Sequence, residues 1–223
     1  MNAEQKKMVA IGVAVVGVIV GASLAGYPVL TLGNKRRKYK YSKYPLIWDT
    51  ILSGEAKTFD DYNYYTSKGL VSRVNAKNTL PFSKKKLTEM TIGEIIGYQN
   101  QSRSGNGQLW ATGQFQVIPS TLKNFYAKAG LNLKSLYNEK NQQMIADALI
   151  DAETTLPKYL NGTIEDTDAN LKKASLDIAT IWSSLGIPYA TNGQGYNQSY
   201  YRTDMASVDT ADVQAVLRKQ RNS

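Results

Sequence analysis

Residues 8–32 form one apolar run without a charged residue, while everything after Tyr44 breaks into short amphipathic stretches separated by polar turns. At about 1.5 Å of rise per residue, such a run crosses a hydrocarbon core of about 30 Å with some tilt, and it predicts a transmembrane helix. The competing reading is a cleavable signal peptide cut near Ser23-Leu24-Ala25. Against it, the run exceeds a usual signal-peptide core and a basic stretch follows it closely. Gly17 and Gly21 form a GxxxG pair, which either lets two such helices approach or reflects the ordinary frequency of Gly in membrane helices. The chain thus divides into a tail (1–7), a membrane span (8–32), a basic stem (33–43) and one folded domain (44–223).

In that domain Pro45, Leu46, Ile47, Ile51 and Leu52 predict a short helix that stops at Ser53-Gly54 and leaves Glu55 at its C-terminal edge. Residues 56–82 are rich in aromatic and β-branched side chains broken by Asp60-Asp61, Gly69 and Asn75, a hairpin pattern. Thr91-Ile92-Gly93-Glu94 has capping-box spacing at the start of a helix reaching about Asn100. The polar, Gly-rich stretch 101–113 predicts a loop. Helices are expected over 119–129, 138–153, 170–185 and 209–219, with a Gly, Asn, Gln and Tyr loop over 188–201. The fold class is therefore α+β and mostly helical.

Charge changes the picture by its position. The whole chain carries 27 Lys and Arg against 18 Asp and Glu, a net +9, but residues 1–43 alone hold +7 and the remainder +2. A nearly neutral domain argues against a nucleic-acid partner, and the basic stem is read as meeting anionic lipid headgroups. Two basic residues precede the apolar run and six follow it before Tyr44; the positive-inside rule then puts the domain on the cytoplasmic side. The chain has no Cys and no His, which excludes disulfides, thiolate nucleophiles, Cys/His zinc sites and Ser-His-Asp triads. Neither a metal nor a cofactor is expected. Proton transfer is left to Asp, Glu, Lys or Tyr, and the commonest chemistry run on carboxylates alone is glycoside cleavage.

Glu55, at a helix C-terminus, meets the negative end of the helix dipole, which raises a carboxyl pKa as a general acid requires. Asp60 and Asp61 follow within the hairpin region and are placed to stabilise an oxocarbenium-like transition state or orient water. Glu94 is accounted for by its capping box. Tyr62, Tyr64 and Tyr65 divide between stacking on sugars and ordinary packing; Trp182 reads as core, and Trp110, in the Gly-rich stretch, as the cleft aromatic.

Ile51-Leu52-Ser53-Gly54-Glu55, then Thr112-Gly113-Gln114-Phe115-Gln116-Val117-Ile118-Pro119, then Ile181-Trp182-Ser183-Ser184-Leu185 together resemble the phage lambda endolysin type of muramidase, and Met90-Thr91-Ile92-Gly93-Glu94-Ile95 between them resembles related phage muramidases. The resemblance spans roughly residues 44–200. It implies a lysozyme-like fold of two lobes around a saccharide cleft, and cleavage of the N-acetylmuramic acid to N-acetylglucosamine bond of peptidoglycan as a lytic transglycosylase. It also implies that Glu55 is the essential acid. Gln114, Phe115 and Gln116 stand where the family has Arg, Tyr and Gln, so Gln116 is retained as a sugar contact while the first two depart from the pattern. Asp60 and Thr66 space like an Asp and Thr of other phage lysozymes, although Glu55 is closer to Asp60 than that pattern wants. The expected partners are glycan strands, the bilayer and other virion membrane or capsid proteins, with the chain a single-pass protein of a virion internal membrane or a bacterial inner membrane. Two rivals stand beside an entry enzyme: a signal-anchor endolysin acting in host lysis, and a non-catalytic wall-binding or structural membrane protein.

Overall fold

Trp48 and Ile51 are fully buried on one side of the first helix, α1 (Trp48–Ile51), which tightens into a 3-10 turn (Leu52–Gly54) and delivers the chain to Glu55. The computed structural model describes residues 38–66, 69–73, 83–101 and 108–223; the expected membrane span at 8–32 and most of the stem lie outside these residues. Among the described residues no helix is long and apolar enough to cross a membrane. They form an α+β fold that is mostly helical.

The sheet is antiparallel, with β1 (Tyr62–Thr66) between β2 (Gly69–Arg73) and β3 (Gln108–Thr112). Strand β3 corrects the loop expected over 101–113. Leu109 and Ala111 are buried on it, and the alternation of that short strand was masked by the Gly-rich residues before it. Tyr62 pairs with Thr112 but Tyr64 pairs with Leu109, so β3 carries one extra residue at the Trp110-Ala111 step. Such a bulge bends a strand and redirects a side chain.

Helix α2 (Ile92–Gln99) begins with the expected capping box: Thr91 Oγ1 accepts from Glu94 N–H at 3.2 Å and the Glu94 carboxylate accepts from Thr91 N–H at 2.8 Å. Lys85 holds the same carboxylate and lowers its pKa, with the Thr91 N–H as the second cause. Helix α3 (Pro119–Phe125) ends before the expected 129; residues 126–130 continue as turns that close at Gly130, whose φ is 74°. Asn138 caps α4 (Glu139–Asp151). A further helix, α5 (Leu156–Leu160), is too short for sequence periodicity to reveal. Thr167 caps α6 (Asp168–Ala179), which stops earlier than the expected 185: the Thr180 hydroxyl donates to the Asp177 carbonyl and residues 181–185 turn away. Asp209 caps α7 (Thr210–Arg221). Helices α5, α6 and α7 pack on one another, α7 also touches α1, and α2 joins the sheet through β3.

The boundary expected at 44 lies too late, because residues 38–43 are not a solvated stem. Tyr39 is 1 % exposed, and one face of α4 holds this segment through a ladder of acceptors spaced one turn apart. Gln143 accepts from Tyr41 N–H at 3.0 Å. Asp147 accepts from the Ser42 hydroxyl at 2.6 Å and Lys43 N–H at 2.7 Å. Asp151 takes the Tyr44 hydroxyl at 2.7 Å and the Lys43 ammonium. Burial is the main cause that raises the Asp147 carboxyl to about 6, against the opposing pull of its Ser42 and Lys43 bonds. A chain starting at Lys38 should therefore be more stable in urea unfolding than one starting at Tyr44, by about 3 kcal/mol for a buried Tyr and its backbone bonds. Equal midpoints would show that the ladder is ornamental.

Candidate functional site

One cleft brings together residues from five separate stretches of the chain. It is an open cleft whose space, counting the solvent at its mouth, is about 700 Å³. Gly54 and Glu55 supply one wall from the end of the α1 turn. Asn63 of β1 and Trp110 and Ala111 of β3 supply the sheet wall, with Gln116 and Ile118 beside them. The segment after α6, residues 181–184, and the later residues Arg202 and Ser207 complete it.

Each wall has a local reason to be where it is. A Cβ on Gly54 would lie 3.0 Å from the Cβ atoms of both Ser184 and Ser207, so the absence of a side chain lets the Glu55 turn close against the opposite wall. That wall is fastened by Val208 N–H to the Ser184 carbonyl at 2.9 Å and Gly186 N–H to the Val208 carbonyl at 3.0 Å. Across the cleft, Thr112 and Val117 pair by two backbone bonds and force a tight loop between them, with Gly113 at φ 72° and Gln116 at φ 48°. A non-Gly residue at such a φ costs on the order of 1 kcal/mol or more and marks sites where direction matters. The result turns Gln116 into the cleft, where its Nε2 donates to the Gly113 carbonyl at 2.8 Å and its Oε1 accepts from Asn63 Nδ2 at 3.0 Å. Trp110 reaches the same space from the bulge in β3, with its ring set edge to face against Tyr65 at 5.7 Å.

Glu55 is partly buried in this wall, and its carboxyl is raised from 4.5 to about 7. Desolvation is the largest cause; the Ser184 hydroxyl, the Ser184 N–H and then the Arg202 charge oppose it. Burial, rather than the end of a helix as short as α1, is thus what holds the proton. The Ser184 hydroxyl lies close enough to influence Glu55 yet makes no hydrogen bond of good geometry.

The other residues expected at the site fall elsewhere. Asp61 is fully buried and caps its own turn, accepting from Lys57 N–H at 2.7 Å, Thr58 N–H at 3.1 Å and the Thr58 hydroxyl at 2.6 Å. Asp60 accepts from the N–H and hydroxyl of Thr88 at 2.9 and 2.8 Å. Both carboxylates serve as anchors of the loop before β1, and neither lines the cleft. Tyr62 is 4 % exposed and packs on Tyr64; Thr66 is the last residue of β1, opposite Gly69. Gln114 is buried, donating through Nε2 to the Tyr39 hydroxyl at 3.1 Å. Phe115 is buried against Trp48. The tight loop explains this: it turns Gln114 and Phe115 inward and only Gln116 outward. Sequence reasoning missed Asn63, Arg202 and Ser207, which carry no local motif, and gave Ser184 no role although it lies in the family-like segment 181–185; the four meet only in the folded chain. Among the described residues no cluster of acids is arranged to hold a metal ion.

No protein-family model, no curated protein and no solved structure matches this chain. What the site can do follows from its chemistry: a protonated carboxylic acid, an amide pair and an aromatic ring face one open cleft.

The raised pKa has a sign that stability measurements can read. Between its ordinary value of 4.5 and about 7, Glu55 binds a proton in the folded chain and not in the unfolded one, so its contribution to stability falls as pH rises through this window and is flat above it. Glu55→Gln removes that dependence and leaves Asp147, which titrates nearby, unchanged. In urea unfolding the variant should match the parent near pH 4 and exceed it by about 2 kcal/mol near pH 8. A difference independent of pH would mean that Glu55 titrates normally.

Proposed function

We propose that this chain is a membrane-anchored peptidoglycan-cleaving enzyme of phage origin, with a lysozyme-like two-lobed domain that cuts the N-acetylmuramic acid to N-acetylglucosamine bond as a lytic transglycosylase. The anchor is the apolar run at 8–32. The six basic residues after it favour cytoplasmic assembly and carriage in a virion membrane, with wall opening at entry. The observation that carries the reading is Glu55: among the described residues it is the only carboxylate lining the cleft, and burial pushes its pKa up to about 7, which keeps much of it protonated near neutrality.

Glu55 gives its proton to the glycosidic oxygen as the bond from that oxygen to C1 of the muramic sugar breaks. Trp110 offers a ring face to a sugar, and the Gln116 and Asn63 amides offer donors and acceptors for its hydroxyl and acetamido groups. With no second carboxylate among the described residues of the cleft to activate water or to trap the sugar, the C6 hydroxyl of the same muramic residue attacks C1. It passes its proton back to the Glu55 carboxylate, so the acid is restored and a 1,6-anhydro ring closes. A non-catalytic wall-binding module has no use for an acid held protonated in an open cleft.

Purified peptidoglycan incubated with the protein should yield fragments ending in 1,6-anhydromuramic acid, seen by mass spectrometry as products lacking an added water. Products that all carry one water would replace the transglycosylase with a hydrolase. Glu55→Gln, which keeps shape and loses the donated proton, should lower the cleavage rate by about 10² to 10⁴ or more. Glu94→Gln still caps α2 and should cleave like the parent. A Glu55→Gln chain that cleaves at the parental rate would overturn the proposal.

A further inference from the structure

One charged group in the cleft has no part in the acid step. Among the described residues Arg202 is the only cation lining the cleft, as Glu55 is the only anion. Its side chain is 33 % exposed and its Nε lies 3.2 Å from the Asp204 carboxylate, yet that contact is misaligned and the buried Nε has no hydrogen-bond partner. On the same cleft the Ser184 hydroxyl meets the Glu55 carboxyl, but not in a well-aligned hydrogen bond. A buried guanidinium N–H without a well-formed hydrogen bond is rare and calls for a better-placed acceptor. An arginine beside a general acid works against it, because its charge favours the ionised carboxylate. Arg202 is indeed a cause that lowers the Glu55 pKa, though the last and smallest. The acid step therefore gives no reason for a guanidinium here, whereas an incoming anion would both occupy the fork and cancel its charge.

We infer that Arg202 is a specificity-determining residue that binds a carboxylate of the substrate, with the Ser184 hydroxyl as a second donor. Guanidinium suits this role, since its planar fork matches a carboxylate in two parallel bonds. The inference rests on the glycan-cleaving reading and names which glycans the cleft prefers: those bearing an acid rather than neutral ones. In peptidoglycan that acid has two sources, the lactyl group of a peptide-free muramic sugar and the carboxylates of a stem peptide. Binding also reaches the chemistry. Once Arg202 is neutralised, the charge that opposes protonation of Glu55 is removed, so an acidic substrate raises the readiness of the acid that cleaves it.

The test compares full-length Glu55→Gln protein in detergent with the same chain carrying Arg202→Gln, so that no ligand is turned over. Three tetrasaccharides of alternating N-acetylglucosamine and N-acetylmuramic acid are titrated by calorimetry: one with free lactyl carboxylates, one with those groups converted to methylamides, and one bearing stem peptides. Arg202→Gln should weaken one or both acidic ligands about tenfold and leave the methylamide within about twofold. The arm that loses affinity names the source of the acid. The unchanged methylamide affinity shows that the variant is folded. Equal losses on all three ligands, or none on any, would overturn the role of Arg202 while leaving the glycan site standing. If none of the three binds even with Arg202 intact, the glycan reading itself falls and this inference falls with it.

Discussion

The cleft depends on the packing of Trp48. Its ring meets Phe115 edge to face at 4.9 Å and Trp182 at 5.5 Å, and its indole N–H donates to the Ser42 hydroxyl at 2.7 Å. Trp182 closes the group by donating its own indole N–H to the Phe115 carbonyl at 3.1 Å. Each of these rings belongs to a different wall. Trp48 begins the turn that ends at Glu55, Phe115 precedes Gln116, and Trp182 lies two residues before Ser184. Removing a buried aromatic of this kind costs on the order of 3–5 kcal/mol, and here it would also release three walls from a common reference. The Ser42 bond extends the same reference to the ladder on α4, so the segment that follows the basic stem is tied to the stack beneath the cleft.

The electrostatics of the cleft follow from that packing. A carboxyl placed against tightly closed protein walls loses water, and the uncharged form wins even though Ser184 and Arg202 pull the other way. The closure is achieved by small residues where the walls meet, above all Gly54 between Ser184 and Ser207. The opposite rim is held by the buried Gln142 side chain. Its amide donates to the carbonyls of Phe59 and Tyr137, and its oxygen accepts from Gln114 N–H. A Cβ on Gly113 would fall 2.1 Å from that oxygen, so this glycine serves both the positive φ of the loop and the close approach of the α4 side chain.

Local chemistry was readable in the sequence wherever one short stretch decides the outcome. The Thr91 capping box, the Asn138 and Asp209 starts, and the stop after Gly54 all rest on neighbouring residues. What depends on distant contacts was not. Tyr62, Gln114 and Phe115 have polar or aromatic groups suited to sugars, but only the tertiary fold decides which face they present, and it sends all three into the core. Strand β3 is stabilised by pairing with β1, which nothing in 101–113 announces. Asp60 and Asp61 look like catalytic carboxylates until Thr58 and Thr88 are brought within bonding distance. Arg202 and Ser207 lie in no motif, Ser184 lies in one that says nothing of its contacts, and all three meet Glu55 only because residues 184–186 bond to Val208. Glu55 itself was legible by position, whereas the reason for its raised pKa, loss of water rather than a helix end, was not.

The proposed chemistry depends on a fold that holds Glu55 largely protonated near neutral pH. The most direct measurement is the titration of its side-chain carboxyl carbon by NMR in chains labelled with ¹³C at Glu, assigned by comparison with Glu55→Gln. The account predicts a midpoint near 7, well above that of the exposed glutamates. A midpoint near the ordinary glutamate value of about 4.3 would mean that the carboxyl is solvated and ionised at neutral pH, and the cleft would have no general acid.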